Sequence, residues 1–247
     1  MRVIVIIPAR YGSTRFPGKP LARIMGKPMI QWVYENVKKV EMISTIYVAT
    51  DDQRIYDTVQ RFGGKVMMTL PEHSCGSDRI AECLQRLNIS DDTIVLNIQG
   101  DEPLICKEMI EELIRCFDDS KVYMGTLKKL ITDDDELVNP NIVKVITDRN
   151  DDAIYFSRYA IPYEKEKTKS EHYKHIGVYG YTAKFLLQFC KLPKARLEKA
   201  ESLEQLRAIE NGYKIRVKES EYQTIGVDTP EQVELVERML QEGIGNE

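Results

Sequence analysis

Apolar residues fall along this chain in two rhythms that alternate. Residues 3–7 (VIVII) form an unbroken β-branched run, the pattern of a strand buried on both faces, as in a parallel sheet. Runs at 45–50 (TIYVAT), 65–69 and 93–99 (TIVLNIQ) predict three more strands. Between them, Met29, Ile30, Val33 and Val37 recur at helical spacing within residues 28–40, and 51–62, 77–87 and 107–117 read as further helices. Asp51 or Asp52 caps the second helix, which stops at Gly63 and Gly64. Strand, loop and helix thus repeat about four times in the first 120 residues, which implies an α/β fold with a mostly parallel central sheet.

From about residue 121 the rhythm changes. Segments 122–130, 142–147, 153–157 and 177–182 read as strands with few helices between them, and 164–173 as a charged loop. Helices are expected at 184–189, 198–211 and 230–241, with a strand at 214–219. Pro230 suits the first turn of the last helix. The expectation is a single domain, 1–247, in which about 121–182 forms a β-rich insertion used for dimerisation.

Ligands of such sheets collect at the carboxyl ends of the strands. The loops 8–27, 72–79 and 99–103 all sit there. The first holds Arg10, Arg15 and Lys19 together with Gly12, Ser13 and Gly18. Clustered cations and closely approaching backbone amides suit a polyphosphate, with a solvated basic loop as the other reading. The loop is not a P-loop, because its glycines are one residue too far apart and Pro20 stands where Ser or Thr should be. Asp101, after a buried strand and a glycine, is placed to hold a divalent ion, with Asp228 as candidate partner; a turn former and a helix cap are the respective alternatives. His73 and Ser77 flank a helix start that can receive an anion or a base carbonyl, Ser77 being otherwise a plain cap. Arg158 and His175 stand alone in strand-like segments, where His175 reads as a structural histidine.

The balance of charge is −4, unlike the basic domain of a general nucleic-acid binder. Five cysteines without C-x-x-C spacing fit reduced thiols in a cytoplasmic protein rather than disulfides or zinc. No apolar run approaches the roughly 18 residues of a membrane span, and 3–7 is too short for a signal peptide.

The segments IIPARYGSTRFPGKPL, YVATDD, HSCGSDRIAE, NIQGDEPLI, NPNIVKV, IYFSRYAIP, YKHIGVYGY, LEQLRAIENGYKI and GVDTPE, in order over residues 6 to about 231, resemble the 3-deoxy-manno-octulosonate (KDO) cytidylyltransferases. The resemblance implies a nucleotide-diphospho-sugar transferase type fold, used as a homodimer, that joins CTP and KDO into CMP-KDO and pyrophosphate for lipopolysaccharide synthesis. By position, Ala9, Arg10, Ser13, Thr14, Arg15 and Lys19 would hold CTP, the last two cations on its phosphates. His73, Gly76, Ser77 and Arg79 would line the cytidine side. Asp101 and Asp228 would ligate catalytic Mg²⁺. Gln99, Arg158, His175, Tyr179, Glu204 and Gln205 would face the sugar, Arg158 its carboxylate. Cys75 and Ser77 depart from the family's usual Ser and Thr, and the charged stretch before LEQLR leaves room for the 8-amino analogue of KDO, with Glu204 a candidate to meet its amine. A glycosyltransferase would normally need a D-x-D motif at a strand end, and here the only one lies within the charged turn Asp133, Asp134, Asp135. A nucleotide sensor without turnover would not need these cations and carboxylates together.

Overall fold

The computed structural model describes residues 1–12, 15–73, 75–166, 170–222 and 224–242. Strand β1 (Val3–Ala9) leads through a 3-10 turn (Lys19–Leu21) and a small hairpin, β2 (Arg23–Ile24) and β3 (Lys27–Pro28), into α1 (Met29–Lys38). Then follow β4 (Ile43–Thr50), α2 (Gln53–Arg61), β5 (Val66–Met68), α3 (Gly76–Leu87), β6 (Ile94–Asn97) and α4 (Lys107–Arg115). The second half holds β7 (Met124–Leu130), α5 (Asp134–Val138), β8 (Lys144–Thr147), β9 (Ala153–Ser157) and β10 (Tyr173–Thr182). It closes with α6 (Ala183–Phe189), α7 (Arg196–Glu201), α8 (Leu206–Glu210), β11 (Arg216–Glu219) and α9 (Pro230–Gln241).

One nine-stranded sheet joins the two halves in the order β11-β7-β10-β6-β1-β4-β5, with β8 and β9 branching from β10. Along that path β11, β7, β6, β1, β4 and β5 run one way and β10 alone opposes them, so the sheet is mostly parallel as expected. The unbroken apolar run makes β1 a central strand. Val3, Val5 and Ile7 enter a core with Ile30, Val33 and Val37 of α1 and Met109 and Leu113 of α4. Ile4 and Ile6 enter the opposite core with Ile80 and Leu84 of α3 and Leu186 and Phe189 of α6. Each such side chain contributes roughly 1.5–3 kcal/mol by leaving water. A third cluster, including Leu104, Val227, Val236 and Leu240, seats α9. No helix among the described residues is long and apolar enough to cross a membrane.

Three local expectations change. The helix expected over 198–211 is two helices, α7 and α8, because Ser202 adopts a left-handed conformation (φ 53°) that ends the first. The strand expected at 177 begins at Tyr173, and its register against β7 shifts between Ile176 and Tyr179, a bulge that interrupts the alternation. In the acidic turn, Asp133 accepts from the Asp135 N–H and caps the short helix α5.

Candidate active site

The chain runs from β1 to β4 on one side, while β6 lies on the other side of β1. Such a divergence opens a crevice at the carboxyl ends of the two strands. A cavity of about 410 Å³ occupies it. Pro8, Ala9 and Arg10 line it from the end of β1, and Gln99, Gly100 and Asp101 from the end of β6. Arg15, Lys19, Pro20, His73, Cys75, Gly76, Arg79 and Asp228 complete the wall. Two glycines let these segments touch: a Cβ at Gly100 would stand 3.1 Å from the Pro8 carbonyl oxygen, and one at Gly76 would stand 3.2 Å from Pro8 Cγ. The loop after β1 is held in shape at Gly18, whose N–H donates to the Tyr11 carbonyl at 2.9 Å and whose φ of 74° places the Tyr11 ring where a side chain would be. Arg54, paired with Asp52, lies over that ring with its Cζ 3.3 Å from the centroid. Ser13 and Thr14 lie outside the described residues.

Asp101 and Asp228, far apart in sequence, meet here because the Val227 N–H donates to the Asp101 carbonyl at 2.9 Å. Asp228 is not the cap of α9. Thr229 is, with Gln232 completing the capping box, so the Asp228 carboxylate is free to face the cavity. Lys19 Nζ bridges the pair, donating to Asp101 Oδ2 and, at 2.9 Å, to Asp228 Oδ1. Arg15 donates to Asp228 Oδ2 at 2.7 Å. Burial pulls the Lys19 ammonium down, but Asp101 and then Asp228 outweigh it and the net shift is upward. The cation stays charged, poised between two carboxylates. Two hard oxygen donors, short of a full cage, are the protein share that Mg²⁺ takes when phosphate and water supply the rest. No group of three or more acidic, His or Cys residues suited to a metal occurs among the described residues.

His73 Nε2 is hydrogen-bonded to Glu82, which also accepts from the Leu70 N–H at 2.9 Å. The Arg79 guanidinium reaches Thr69 and, at 2.8 Å, Asp51; it lines the cavity while tying α3 to the ends of β4 and β5. Ser77 is not the helix cap. It is buried within α3, and its hydroxyl donates to Glu204 Oε2 at 3.0 Å. Cys75, on the cavity wall, donates to Glu204 Oε1 at 3.1 Å. The kink at Ser202 therefore delivers Glu204 to the start of α3, with Gln205 buried beside it. Arg207 lies 3.6 Å from Glu204 but forms its bidentate pair with Glu198, at 2.9 and 2.5 Å, so Glu204 shares its cation.

Gln99 donates to Asn97 Oδ1 at 2.9 Å, and Asn97 pairs with Tyr179 across the sheet. The bulge in β10 brings the His175 and Tyr179 rings to 5.3 Å, although a regular strand rises about 13 Å over four residues. Thr126 Oγ1 stands 2.7 Å from the Val178 carbonyl and 2.9 Å from His175 Nε2. Its one proton goes to the nearer carbonyl, so Nε2 carries the ring proton and donates to Oγ1. Desolvation holds the imidazole near a pKa of about 3, hence neutral. Arg158 is set by the Glu201 carbonyl (2.7 Å) and the Pro140 carbonyl (2.9 Å). Its guanidinium forms no ion pair with a carboxylate among the described residues, and its charge remains available. Of the residues expected to face the sugar, Gln99 lines the cavity; Arg158, His175, Tyr179, Glu204 and Gln205 lie outside its immediate wall.

A family model described as cytidylyltransferase matches residues 4–215. The chain belongs to the cytidylyltransferase family. It is 53% identical to the 3-deoxy-manno-octulosonate cytidylyltransferase of Thermodesulfovibrio yellowstonii, covering 97% of this chain and 98% of that one. It is 50% identical to the 8-amino-3,8-dideoxy-manno-octulosonate cytidylyltransferase of Shewanella sediminis, covering 97% and 99%. A solved CMP:2-keto-3-deoxy-manno-octonic acid synthetase complexed with CTP matches with a TM-score of 0.93 at 42% identity, over 98% of this chain and 100% of that one. A 4-diphosphocytidyl-2C-methyl-D-erythritolsynthase from Anaerococcus prevotii, at 17% identity and a TM-score of 0.63 over 97% and 96%, shares the fold.

In this cytidylyltransferase three side chains carry more than the sequence announced. Glu102 is buried directly behind Asp101, and burial, then the Asp101 charge, push its carboxyl up to about 8. Lys144, fully buried, donates to the carbonyls of Asn139, Ile142 and Arg158 at 2.9, 2.6 and 2.7 Å and so fixes the segment carrying Arg158. Cys75 joins the cavity wall to Glu204. For Glu102 the only sequence signal was its place next to Asp101.

Proposed function

We propose that this enzyme transfers CMP from CTP to the anomeric hydroxyl of KDO and releases pyrophosphate. The observation that carries the reading is the meeting of Arg15, Lys19, Asp101 and Asp228 in one crevice at the ends of β1 and β6. The hydroxyl oxygen forms a bond to the α-phosphorus, the bond from that phosphorus to the oxygen bridging it to the β-phosphate breaks so that pyrophosphate leaves, and the hydroxyl proton passes to solvent. No protein nucleophile is required. The chemistry supports that economy, since burial raises every thiol: Cys83, Cys116 and Cys190 to about 12, Cys106 to about 11, and Cys75 further.

Catalysis then rests on positioning and on neutralising charge. Arg10, Arg15 and Lys19 bind the triphosphate, and the last two take up charge on the departing pyrophosphate. Ala9, His73, Gly76, Ser77 and Arg79 border the cytidine. Asp101 and Asp228 would hold Mg²⁺, which when bound neutralises phosphate charge and lowers the pKa of the attacking hydroxyl. Arg158, with its unpaired charge, takes the sugar carboxylate; Gln99, neutral His175, Tyr179, Glu204 and Gln205 supply polar contacts to its hydroxyls. When CTP arrives, Lys19 and Arg15 exchange carboxylate partners for phosphate oxygens, which frees Asp101 and Asp228.

The 8-amino analogue of KDO is the second acceptor to consider, and Glu204, which shares its one cation with Glu198, is the observation that favours it. A homodimer is supported by Ile154, Tyr159 and Tyr163 in and after β9, large side chains left exposed that a second copy would cover. The role in lipopolysaccharide synthesis and a cytoplasmic site follow from the reaction proposed. The direct experiment is pyrophosphate release from CTP and Mg²⁺ with each sugar in turn. Release dependent on one of these two acids supports the reading, and release without any acidic sugar opposes it.

A further inference from the structure

Asp228 reaches the crevice from a segment that belongs to no strand, and something must fix its distance from Asp101. Glu102 occupies that place. It follows Asp101 in the chain and is only 9% exposed. Its Oε2 accepts from the Thr224 hydroxyl at 2.5 Å. Its Oε1 faces Gly226, where a Cβ would stand 3.4 Å away. One residue further on, the Val227 N–H bonds the Asp101 carbonyl at 2.9 Å. The Thr224 hydrogen bond to Oε2, with the close approach of Oε1 that Gly226 permits, thus seats the 224–226 segment on Glu102 while the backbone next to it ties 227 to 101, and Asp228 follows at once. An apolar side chain would fill the same buried volume at lower desolvation cost, so packing alone does not account for a carboxyl here.

We infer that Glu102 is a positioning residue for the reaction, setting Asp228 against Asp101 through Thr224 and Gly226 without itself touching substrate. The inference rests on the proposed roles of Asp101 and Asp228 as the carboxylates that hold the divalent ion. Its requirement is a hydrogen-bond acceptor of glutamate length at position 102. Charge is not the requirement, because the Gln amide oxygen can accept from Thr224 equally well. Outer groups that orient metal ligands typically cost about 10–100-fold in metal affinity when removed.

The test measures Mn²⁺ affinity by electron paramagnetic resonance on the CTP complex without sugar, alongside kcat, the KM for the acceptor sugar and the melting temperature. Wild-type turnover is established first, so failure of the proposed activity is seen separately from failure of this inference. Glu102→Ala is expected to weaken Mn²⁺ by about 10-fold or more and to lower kcat, with the sugar KM within about twofold. Glu102→Gln restores Mn²⁺ affinity to within about threefold of wild type, and Thr224→Val shifts it about 3–10-fold in the direction of Glu102→Ala. Unchanged Mn²⁺ affinity in Glu102→Ala overturns the inference. Equal damage from Gln and Ala also overturns it, by assigning the effect to charge. If Glu102→Ala does not fold, Thr224→Val decides: wild-type affinity there rejects the positioning role, and the stated weakening supports it.

Discussion

Lys19 is assigned two partners at different moments, the carboxylate pair before nucleotide binds and the phosphates afterwards, so Lys19→Met has two opposite expected effects. In the free protein its side chain is 12% exposed and its ammonium contacts Asp101 and Asp228, whose side chains are 28% and 40% exposed. Two unit charges about 4 Å apart at an effective dielectric near 20 attract by about 4 kcal/mol, and desolvation and solvent screening at the more exposed Asp228 leave a smaller net contribution, on the order of 1–3 kcal/mol. Removing the ammonium lowers thermal stability and leaves two carboxylates balanced only by Arg15. Their affinity for Mn²⁺ in the absence of CTP therefore rises by about 10-fold, the equivalent of about 1.4 kcal/mol of lost competition. Turnover moves the other way: loss of one preorganised charge on the leaving group costs about 10²–10³ in kcat. Pyrophosphate release and Mn²⁺ titration of the nucleotide-free variant read the two effects separately. Turnover within about threefold of wild type, or weaker Mn²⁺ binding by the free variant, refutes the shared role.

Asp228→Asn is expected to lower kcat by at least about 100-fold with little change in melting temperature, since Thr229 and Gln232 cap α9 without it; a steady-state assay and a thermal melt check both. Burial lowers His175 from 6.5 to about 3, so below pH 6.5 the unfolded chain binds a proton the folded one refuses, and stability is present above that pH and lost as pH falls toward 3. At pH 5.5 this costs about 1.4 kcal/mol relative to pH 7.5, and denaturant unfolding of wild type against His175→Gln at the two pH values should show that difference shrinking in the variant. With all five thiols raised by burial, iodoacetamide at pH 7.5 should leave pyrophosphate release nearly unchanged over an hour, and rapid loss of activity would show a thiolate in the crevice.

The parts of the fold that repeat locally were legible in the sequence. A strand buried on both faces leaves an unbroken apolar run, which made β1 readable, and the cations Arg10, Arg15 and Lys19 marked a loop that lines the cavity. The meeting of Asp101 and Asp228 across Lys19 was not legible, because it depends on one backbone bond from Val227 and on Thr229, rather than Asp228, capping α9. The approach of Glu204 to Cys75 and Ser77 depends on a left-handed residue at Ser202, where serine carries no sequence mark of a helix end. The pairing of His175 with Tyr179 depends on a bulge whose alternation is broken at Gly177 and Val178. Each of these is a tertiary choice made over a short stretch, and each lies at the candidate site, where local preference yields to geometry.

The central claim is tested most directly by following pyrophosphate release from CTP with Mg²⁺ while KDO, its 8-amino analogue and a sialic acid are offered singly. The account predicts release with KDO or its 8-amino analogue, none with the sialic acid, and loss of release on adding EDTA. Absence of release with both eight-carbon acids, under conditions where the folded protein binds CTP, would contradict it.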